Sequence, residues 1–216
     1  YIDKDAFQAC SRDPVIELED NSIIVSAYSG APKYTDTCYA FKSFDKGKNW
    51  PFSSIVASDK NSLKGQHFGI NFNETALLNL HDGKILAIIR CDEYFKENHS
   101  NEYIPVGGLG NLKKTFSYDA GLSWLPPSDI GVWGQPPHLL KLSNGNILLT
   151  YGYRRQPFGI RASISKNDGE SWNEIKSIRS DGLSWDLGYP CSIEINRNKI
   201  LTIYYIHDKD MIRYIC

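Results

Sequence analysis

The sequence lacks long apolar runs, an excess of charge of one sign and any pattern of a long amphipathic helix. No signal peptide is visible and no apolar run approaches the length of a membrane span. The formal net charge is −1, which favours neither nucleic acid nor an anionic membrane as a partner. The single methionine is not an initiator, so we expect the chain to begin inside a longer gene product or after a processed leader.

The cysteines form no recognisable framework. There are five of them, and an odd number cannot all pair within the chain. Their spacing fits no zinc motif, so we interpret them as small, buried apolar residues. The sequence implies neither a metal site nor an organic cofactor.

An eight-residue pattern, Ser-x-Asp-x-Gly-x-x-Trp, is present three times, starting at Ser43, Ser117 and Ser165. The third copy has Asn167 at the Asp position. Glycine adopts backbone conformations closed to other residues, Asp or Asn binds local amides, and Trp can pack under the turn. The pattern therefore predicts the same tight turn between two strands in three repeated units.

A second repeated element consists of an apolar strand, a polar two-residue turn and another apolar strand. Its four copies are centred on Asp20, Asp82, Asn144 and Arg197. Asp-Gly and Asn-Gly between apolar strands are strong hairpin signals. Each hairpin, followed by a third strand, a Ser-x-Asp turn and a fourth strand, gives one four-stranded blade of a β-propeller. We therefore predict a single all-β domain over residues 1–216, with about four repeats.

The Ser-x-Asp turns at this place in a blade resemble the Asp boxes, or BNR repeats, of the sialidase-like superfamily. The resemblance covers all four repeats and implies a propeller of six four-stranded blades. An unclosed propeller would leave long sheet edges exposed. We therefore expect an incomplete domain that further blades of a longer protein, a partner chain or a second copy would complete.

The repeats also predict where a site lies. Positions eight residues before the hairpin centres hold Arg12, Glu74, Pro136 and Tyr189, and positions eight residues after them hold Tyr28, Arg90, Gly152 and Tyr205. Residues equally far from a hairpin turn lie side by side, so all eight belong to the same end of their blades. Because these equivalent positions hold different residue types, we expect function at this end.

The resemblance to sialidases gives roles to three of these residues. Glu74 followed by Arg90 resembles the strand pair that carries a Glu and one arginine of a substrate-binding triad. The segment with Tyr189 resembles the strand that carries the nucleophilic Tyr. A neutral phenol suits a substrate with a carboxylate on its anomeric carbon, but it is a weak nucleophile without a base. The resemblance thus implies Tyr189 as nucleophile, Glu74 as its base and Arg90 as the carboxylate ligand.

Further substrate contacts remain open between several candidates. The resemblance favours Arg155 for another arginine of the triad, ahead of Arg154 and Arg161. Arg12 is a weaker candidate for the first arginine, because only Arg-Asp-Pro stands where the family has Arg-Ile-Pro. If Arg12 has that role, Asp36 is the best acid by its place in the next loop. His138 could line the site at the same end of the blades, or it could be a core histidine whose hydrogen bonds are satisfied.

Each candidate has a structural alternative. Glu74 and Arg90 could form an ion pair between strands, Tyr189 could be a core Tyr, and Asp36 could be a solvated loop residue. Trp133 and Trp185 could form a platform for a sugar or cover the core, and Asp186 is a further candidate acid.

We interpret the chain as a retaining exo-glycosidase of sialidase type, acting on a terminal, anionic sugar of a glycan. The alternatives are a non-catalytic glycan-binding propeller and a propeller glycosidase or lyase of another specificity. Family and substrate suggest secretion or the periplasm.

Overall fold

The computed structural model shows an all-β fold. It describes residues 9–10, 15–29, 37–59, 69–94, 108–197, 199–208 and 211–215. Within these ranges no helix is present that could span a membrane. The strands are rich in Ile, Val, Leu and Tyr, whose branched and aromatic side chains pack well on a pleated sheet surface.

The strands form four antiparallel sheets in chain order. Sheet 1 contains Ala9–Cys10 (β1), Ile16–Glu17 (β2), Ile23–Ser29 (β3), Thr37–Ser43 (β4) and Phe52–Ala57 (β5). Sheet 2 contains Gly69–Asn79 (β6), Ile85–Tyr94 (β7), Lys113–Ser117 (β8) and Ser128–Asp129 (β9). Sheet 3 contains Pro137–Lys141 (β10), Ile147–Tyr153 (β11), Gly159–Ser165 (β12) and Asn173–Arg179 (β13). Sheet 4 contains Leu187–Asn196 (β14), Lys199–Asp208 (β15) and Met211–Ile215 (β16).

The order of strands is that of sialidase-like propeller blades, with each strand paired to the next one in the chain. In sheet 1 the first strand of the blade is divided into β1 and β2, which both pair with β3. Sheet 4 shows three strands among the described residues. The predicted all-β class and the blade-like units are therefore confirmed.

The chain divides between Asp129 and Ile130 into two compact units. In the first unit, sheets 1 and 2 bury a shared apolar core that includes Ile24, Ala40, Ile85 and Ala87. In the second unit, Ile160 of sheet 3 packs with Leu187, Tyr204 and Ile206 of sheet 4. Burial of these apolar faces is the main stabilising contribution within each unit.

The three Ser-x-Asp turns share one hydrogen-bond pattern. In the first turn, the amide of Gly47 donates to Ser43 Oγ at 2.8 Å, and the amide of Asn49 donates to Asp45 Oδ1 at 2.8 Å. The other two turns repeat both bonds, at Ser117 and Asp119 and at Ser165 and Asn167. The glycines have φ between 84° and 87°, a left-handed conformation that favours glycine. The predicted turn geometry is confirmed.

Asp45 makes the first of these turns sensitive to acid. The backbone amide and then the side-chain amide of Asn49 donate to its carboxylate and lower its pKa to about 2. A lowered pKa stabilises the fold above the ordinary value of 3.8, and this contribution is lost as pH falls towards 2. Asp45→Asn, which copies the residue found at Asn167, should therefore be less stable than the native chain at pH 6 and equal to it at pH 2. Thermal unfolding across this pH range measures the difference. A constant difference at every pH would contradict the prediction.

The hairpin turns differ from the sequence prediction. In the first three hairpins, Leu18 pairs with Ser22, Leu80 with Lys84 and Leu142 with Asn146, so each turn has three residues rather than two. The positive φ of Asn21, Gly83 and Gly145 at the last turn residue makes this longer turn possible. The strand registers still centre on Asp20, Asp82 and Asn144. The eight-residue positions are retained for Glu74 and Arg90. They are not retained in sheet 1, where Tyr28 pairs with Cys10 rather than with the predicted Arg12.

One face of sheet 4 is more exposed than its counterparts. The sixth residue after each hairpin centre is Ser26, Ile88, Thr150 or Ile203. The first three are buried, with Ile88 at 0% exposure, whereas Ile203 is 42% exposed. Ile193 and Ile195 of β14 are also exposed. Sheet 4 thus presents an apolar surface at positions whose equivalents are covered.

The difference in exposure between Ile88 and Ile203 predicts that replacing each isoleucine by alanine will change stability by different amounts. Ile88→Ala should lower the free energy of unfolding by about 2–5 kcal/mol, because it removes buried methyl groups and leaves a cavity. Ile203→Ala should cost less than about 1 kcal/mol, because much of the side chain is already in water. Urea unfolding of both variants measures the difference. Equal losses would show that Ile203 is covered in solution.

Candidate functional site

Glu74 and Tyr189 both lie in β-bulges, at the same position of the first strand in their sheets. In sheet 2 the register shifts between Phe72 and Thr75, so Asn73 and Glu74 together face β7 at Arg90. In sheet 4 it shifts between Gly188 and Cys191, so Tyr189 and Pro190 form the bulge. Bulges redirect side chains and are frequent beside active sites. The two candidate residues belong to different units.

In the first unit, Arg90 is held by two carboxylates. Its Nη1 donates to Glu74 Oε2 at 2.7 Å, and its Nε and Nη2 donate to the two oxygens of Asp92 at 3.2 Å. Glu74 and Asp92 are buried and Arg90 is nearly so. Burial opposes the charge on the guanidinium, but the charges of Asp92 and Glu74 outweigh it and raise the pKa of Arg90. The predicted proximity of Glu74 and Arg90 is confirmed, as is the alternative that they form an ion pair between strands.

Asn73 fixes the bulge that carries Glu74. Its Oδ1 accepts a hydrogen bond from the amide of Glu74 at 2.9 Å, and its Nδ2 donates to Asp92 Oδ2 at 3.1 Å. Its carbonyl accepts bonds from the Cys38 thiol and the Thr75 hydroxyl, both at 2.8 Å. Sequence reasoning missed Asn73 and Asp92. The spacing Arg90-x-Asp92 was the available signal, because alternate residues of a strand lie on one face.

In the second unit, Tyr189 is presented by a strained backbone. Its φ is 50°, a left-handed value that is uncommon for residues other than glycine, Asn and Asp. The side chain is 40% exposed, so it is not a core Tyr. Gly188 before it has φ of 132° and pairs with Tyr205, which places the Tyr189 and Tyr205 rings 5.9 Å apart. The backbone thus holds a phenol at the surface at a conformational cost.

Charged and polar groups surround this phenol. The guanidinium of Arg154 lies 5.8 Å from the centre of the Tyr189 ring, and Arg154 Nε donates to the carbonyl of Leu187 at 3.0 Å. The hydroxyl of Tyr205 donates to Asp186 Oδ1 at 2.8 Å. The pKa of Tyr205 is raised to about 12, mainly by burial of the hydroxyl and to a smaller extent by this hydrogen bond. Sequence reasoning gave Asp186 minor weight and did not connect it with Tyr205.

Small residues allow sheets 3 and 4 to meet at this site. A Cβ on Gly152 would lie 2.5 Å from the carbonyl oxygen of Gln135 and 2.9 Å from Gly188 Cα. No side chain fits in that space, so β11 has glycine where the equivalent positions carry Arg90 and Tyr205. The backbones approach closely, and Arg154 follows directly after β11.

The other predicted residues of the second unit lie elsewhere in it. The guanidinium of Arg155 stacks 3.8 Å from the ring of Trp133, and burial lowers the pKa of Arg155. The guanidinium of Arg161 lies 3.2 Å from the ring of Tyr153. Of the three arginines, Arg154 is the one that the structure places at Tyr189.

His138 and the two tryptophans divide between core and surface. His138 is buried with its Nε2 3.7 Å from the thiol of Cys191. Trp133 is buried and packs edge-on against Tyr153, so it covers the core. Trp185 is 44% exposed and could contact a sugar. Arg12 and Asp36 lie outside the described residues.

Comparisons with known proteins identify the fold. No protein-family model and no curated protein matches the chain. A solved structure of a protein of unknown function from Dyadobacter fermentans matches with 26% identity and a TM-score of 0.74, covering 92% of this chain and 50% of the other. A Hadza microbial sialidase matches with 18% identity and a TM-score of 0.69, covering 95% and 43%. Trypanosoma rangeli sialidase, solved as a covalent intermediate with 2,3-difluorosialic acid, matches with 12% identity and a TM-score of 0.64, covering 91% and 34%.

These similarities show a sialidase-like fold. The chain spans half or less of the length of the solved structures that it matches. A shared fold at such low identity does not assign an activity, which has to be argued from the site.

Proposed function

We propose that the protein is a retaining glycoside hydrolase of sialidase type that removes a terminal, anionic sugar from glycans. The observation that carries this proposal is the presentation of Tyr189. A bulge with a left-handed backbone exposes its phenol beside the guanidinium of Arg154. Strained backbone of this kind is concentrated at functional sites.

In the proposed first step, Tyr189 Oη attacks the anomeric carbon and the bond from that carbon to the leaving oxygen breaks. A base takes the phenol proton, the role that the resemblance to sialidases implies for Glu74, and an acid, for which Asp36 is the candidate, protonates the leaving oxygen. In the second step, the acid, now a carboxylate, takes a proton from water, the water oxygen attacks the anomeric carbon, and the bond to Tyr189 Oη breaks. Tyr189 recovers its proton from the base, and both carboxyl groups return to their starting states. Two inversions give net retention.

Arg90 has enough N–H donors to bind a substrate carboxylate in addition to its two carboxylate partners. Among the described residues, Glu74 and Asp92 engage three of its five N–H donors. The two remaining donors are enough for one bidentate carboxylate. Ionised Glu74, Asp92 and Arg90 together carry a charge of −1, so an anionic sugar requires further cations. Arg12, Arg154, Arg155 and Arg161 are the candidates that the sequence offers.

The same ion pairs favour a second candidate function, a glycan-binding propeller without turnover. Arg90 is already compensated by two carboxylates, as in a structural ion-pair network. This alternative predicts sugar binding, but no hydrolysis and no covalent intermediate. Secretion or a periplasmic location, and completion of the propeller by further blades or a partner chain, stay predictions.

Hydrolysis assays distinguish these functions. The chain is incubated with fluorogenic α-sialosides, uronides and neutral glycosides, and proton NMR identifies the anomer first released. The proposal predicts turnover of the sialoside, with the released sugar first in the α configuration. Turnover of another sugar class would support a propeller glycosidase of other specificity. Binding without turnover of any of them would support the glycan-binding function.

A further inference from the structure

Tyr189 lies in the bulge of β14 and not in its regular ladder of paired residues. Tyr189 and Pro190 lie between the paired residues Gly188 and Cys191, outside the regular ladder of β14 and β15. An exposed side chain on such a segment loses rotamer freedom only if neighbouring groups hold it. A nucleophile has to be held, because a displacement of about 1 Å can cost 10²-fold in rate.

Tyr205 is one neighbour that can hold it. Its ring lies 5.9 Å from the Tyr189 ring at an interplanar angle of 31°, within the range of favourable aromatic pairs. Tyr205 is paired with Gly188, one residue before the bulge, so its backbone is fixed in the ladder. Its hydroxyl is fixed as well, by the bond to Asp186.

Asp186 is anchored before β14 by its backbone. Its carbonyl accepts a hydrogen bond from the amide of His207 at 3.1 Å, and its amide donates to Ser184 Oγ at 3.2 Å. Its carboxylate can therefore serve as a fixed acceptor for Tyr205. A hydrogen bond to a charged acceptor contributes roughly twice as much as one between neutral groups.

Arg154, which follows β11 of sheet 3, is a further neighbour of Tyr189 and Tyr205. Its guanidinium lies near the Tyr189 ring while its Nε is bound to the carbonyl of Leu187. The positive charge of Arg154 lowers the pKa of Tyr205, against the larger effects of burial and of the bond to Asp186. Asp186 and Arg154 thus place opposite charges around the two rings.

We propose that Asp186 and Tyr205 form a positioning pair that fixes the ring of Tyr189 for attack. Asp186 holds the hydroxyl of Tyr205, and the ring of Tyr205 holds the ring of Tyr189. The proposal rests on the proposed role of Tyr189 as nucleophile. Neither Asp186 nor Tyr205 needs to touch the substrate, so their loss should affect kcat more than KM.

NMR of the chain labelled with [ζ-¹³C]tyrosine tests the pair without relying on activity. Tyr205→Phe and Tyr189→Phe assign the two signals. In Asp186→Asn, the titration midpoint of Tyr205 should fall from about 12 towards the usual value of 10.0, and the Tyr189 signal should shift. Asp181→Asn, which removes an exposed carboxylate five residues earlier, is the matched control and should change neither signal.

Kinetics on the sugar that the chain hydrolyses provide the second readout. Asp186→Asn and Tyr205→Phe both keep the side-chain volume. Asp186→Asn replaces the charged acceptor by a neutral amide oxygen, Tyr205→Phe removes the donor, and each should lower kcat by about 10-fold with KM nearly unchanged. Tyr205→Ala also removes the ring and should lower kcat by about 10²-fold. Because the first two substitutions conserve shape, they remain informative if Tyr205→Ala fails to fold.

The two readouts distinguish a failure of the proposed positioning pair from a failure of the proposed function. If Asp186→Asn behaves like Asp181→Asn in both readouts, the positioning pair is wrong. If the Tyr189 signal shifts but no sugar is hydrolysed even by the native chain, the contact between the pair and Tyr189 stands and the proposed function is wrong.

Discussion

Tyr189→Phe should lower kcat by about 10³-fold or more, because it removes the oxygen that forms the covalent bond to the sugar. The substitution is close to isosteric. It keeps the ring that packs against Tyr205 and lies near Arg154, and it keeps the bulge backbone, whose strain is the same for Phe. KM should therefore change little. Steady-state kinetics on a fluorogenic sialoside measure both constants.

Tyr118→Phe is the matched control for this experiment. Tyr118 is also exposed and its ring also lies beside an aromatic ring, that of Phe116, but it belongs to the second Ser-x-Asp turn of the first unit. Its substitution should leave kcat and KM unchanged. If Tyr189→Phe retained more than a tenth of native kcat, Tyr189 would not be the nucleophile.

Arg90→Met should lower the free energy of unfolding by about 3–5 kcal/mol, because it leaves two buried carboxylates without their cation. Met preserves much of the apolar volume of the arginine stem, so the loss reports the missing charge. Urea unfolding at neutral pH measures the loss.

A surface ion pair provides the comparison. Lys141 Nζ lies 2.6 Å from Asp168 Oδ1, but the two side chains are 36% and 54% exposed. Lys141→Met should therefore cost less than about 1 kcal/mol. If Arg90→Met cost no more than Lys141→Met, the group of Glu74, Arg90 and Asp92 would not be a buried network in solution.

The repeats in the sequence predicted much of the fold because each relevant signal is local. Asp-Gly and Asn-Gly turns fix a hairpin within a few residues, and the Ser-x-Asp turns form their bonds within eight residues. Counting from the turn centres therefore brought Glu74 and Arg90 together across two strands. A two-residue turn at Asp82-Gly83 would have placed Glu74 opposite Cys91, so the three-residue turn centred on Asp82 is what brings Glu74 to Arg90.

The sequence could not predict contacts that depend on bulges or on the packing of two sheets. The bulge at Glu74 is held by a tertiary hydrogen bond from Cys38 of sheet 1 to the carbonyl of Asn73. A one-residue shift in register pairs Tyr205 with Gly188 instead of Tyr189. Arg154 and Arg155 are neighbours in sequence, and packing alone decides which one faces Tyr189.

Covalent trapping tests the role of Tyr189 most directly. The chain is incubated with 2,3-difluorosialic acid, the compound bound in the Trypanosoma rangeli structure, and the peptides are then analysed by mass spectrometry. We predict a sugar adduct on Tyr189 in the native chain and none in Tyr189→Phe. An adduct on another residue, or binding of the compound without any adduct, would contradict the proposed nucleophile.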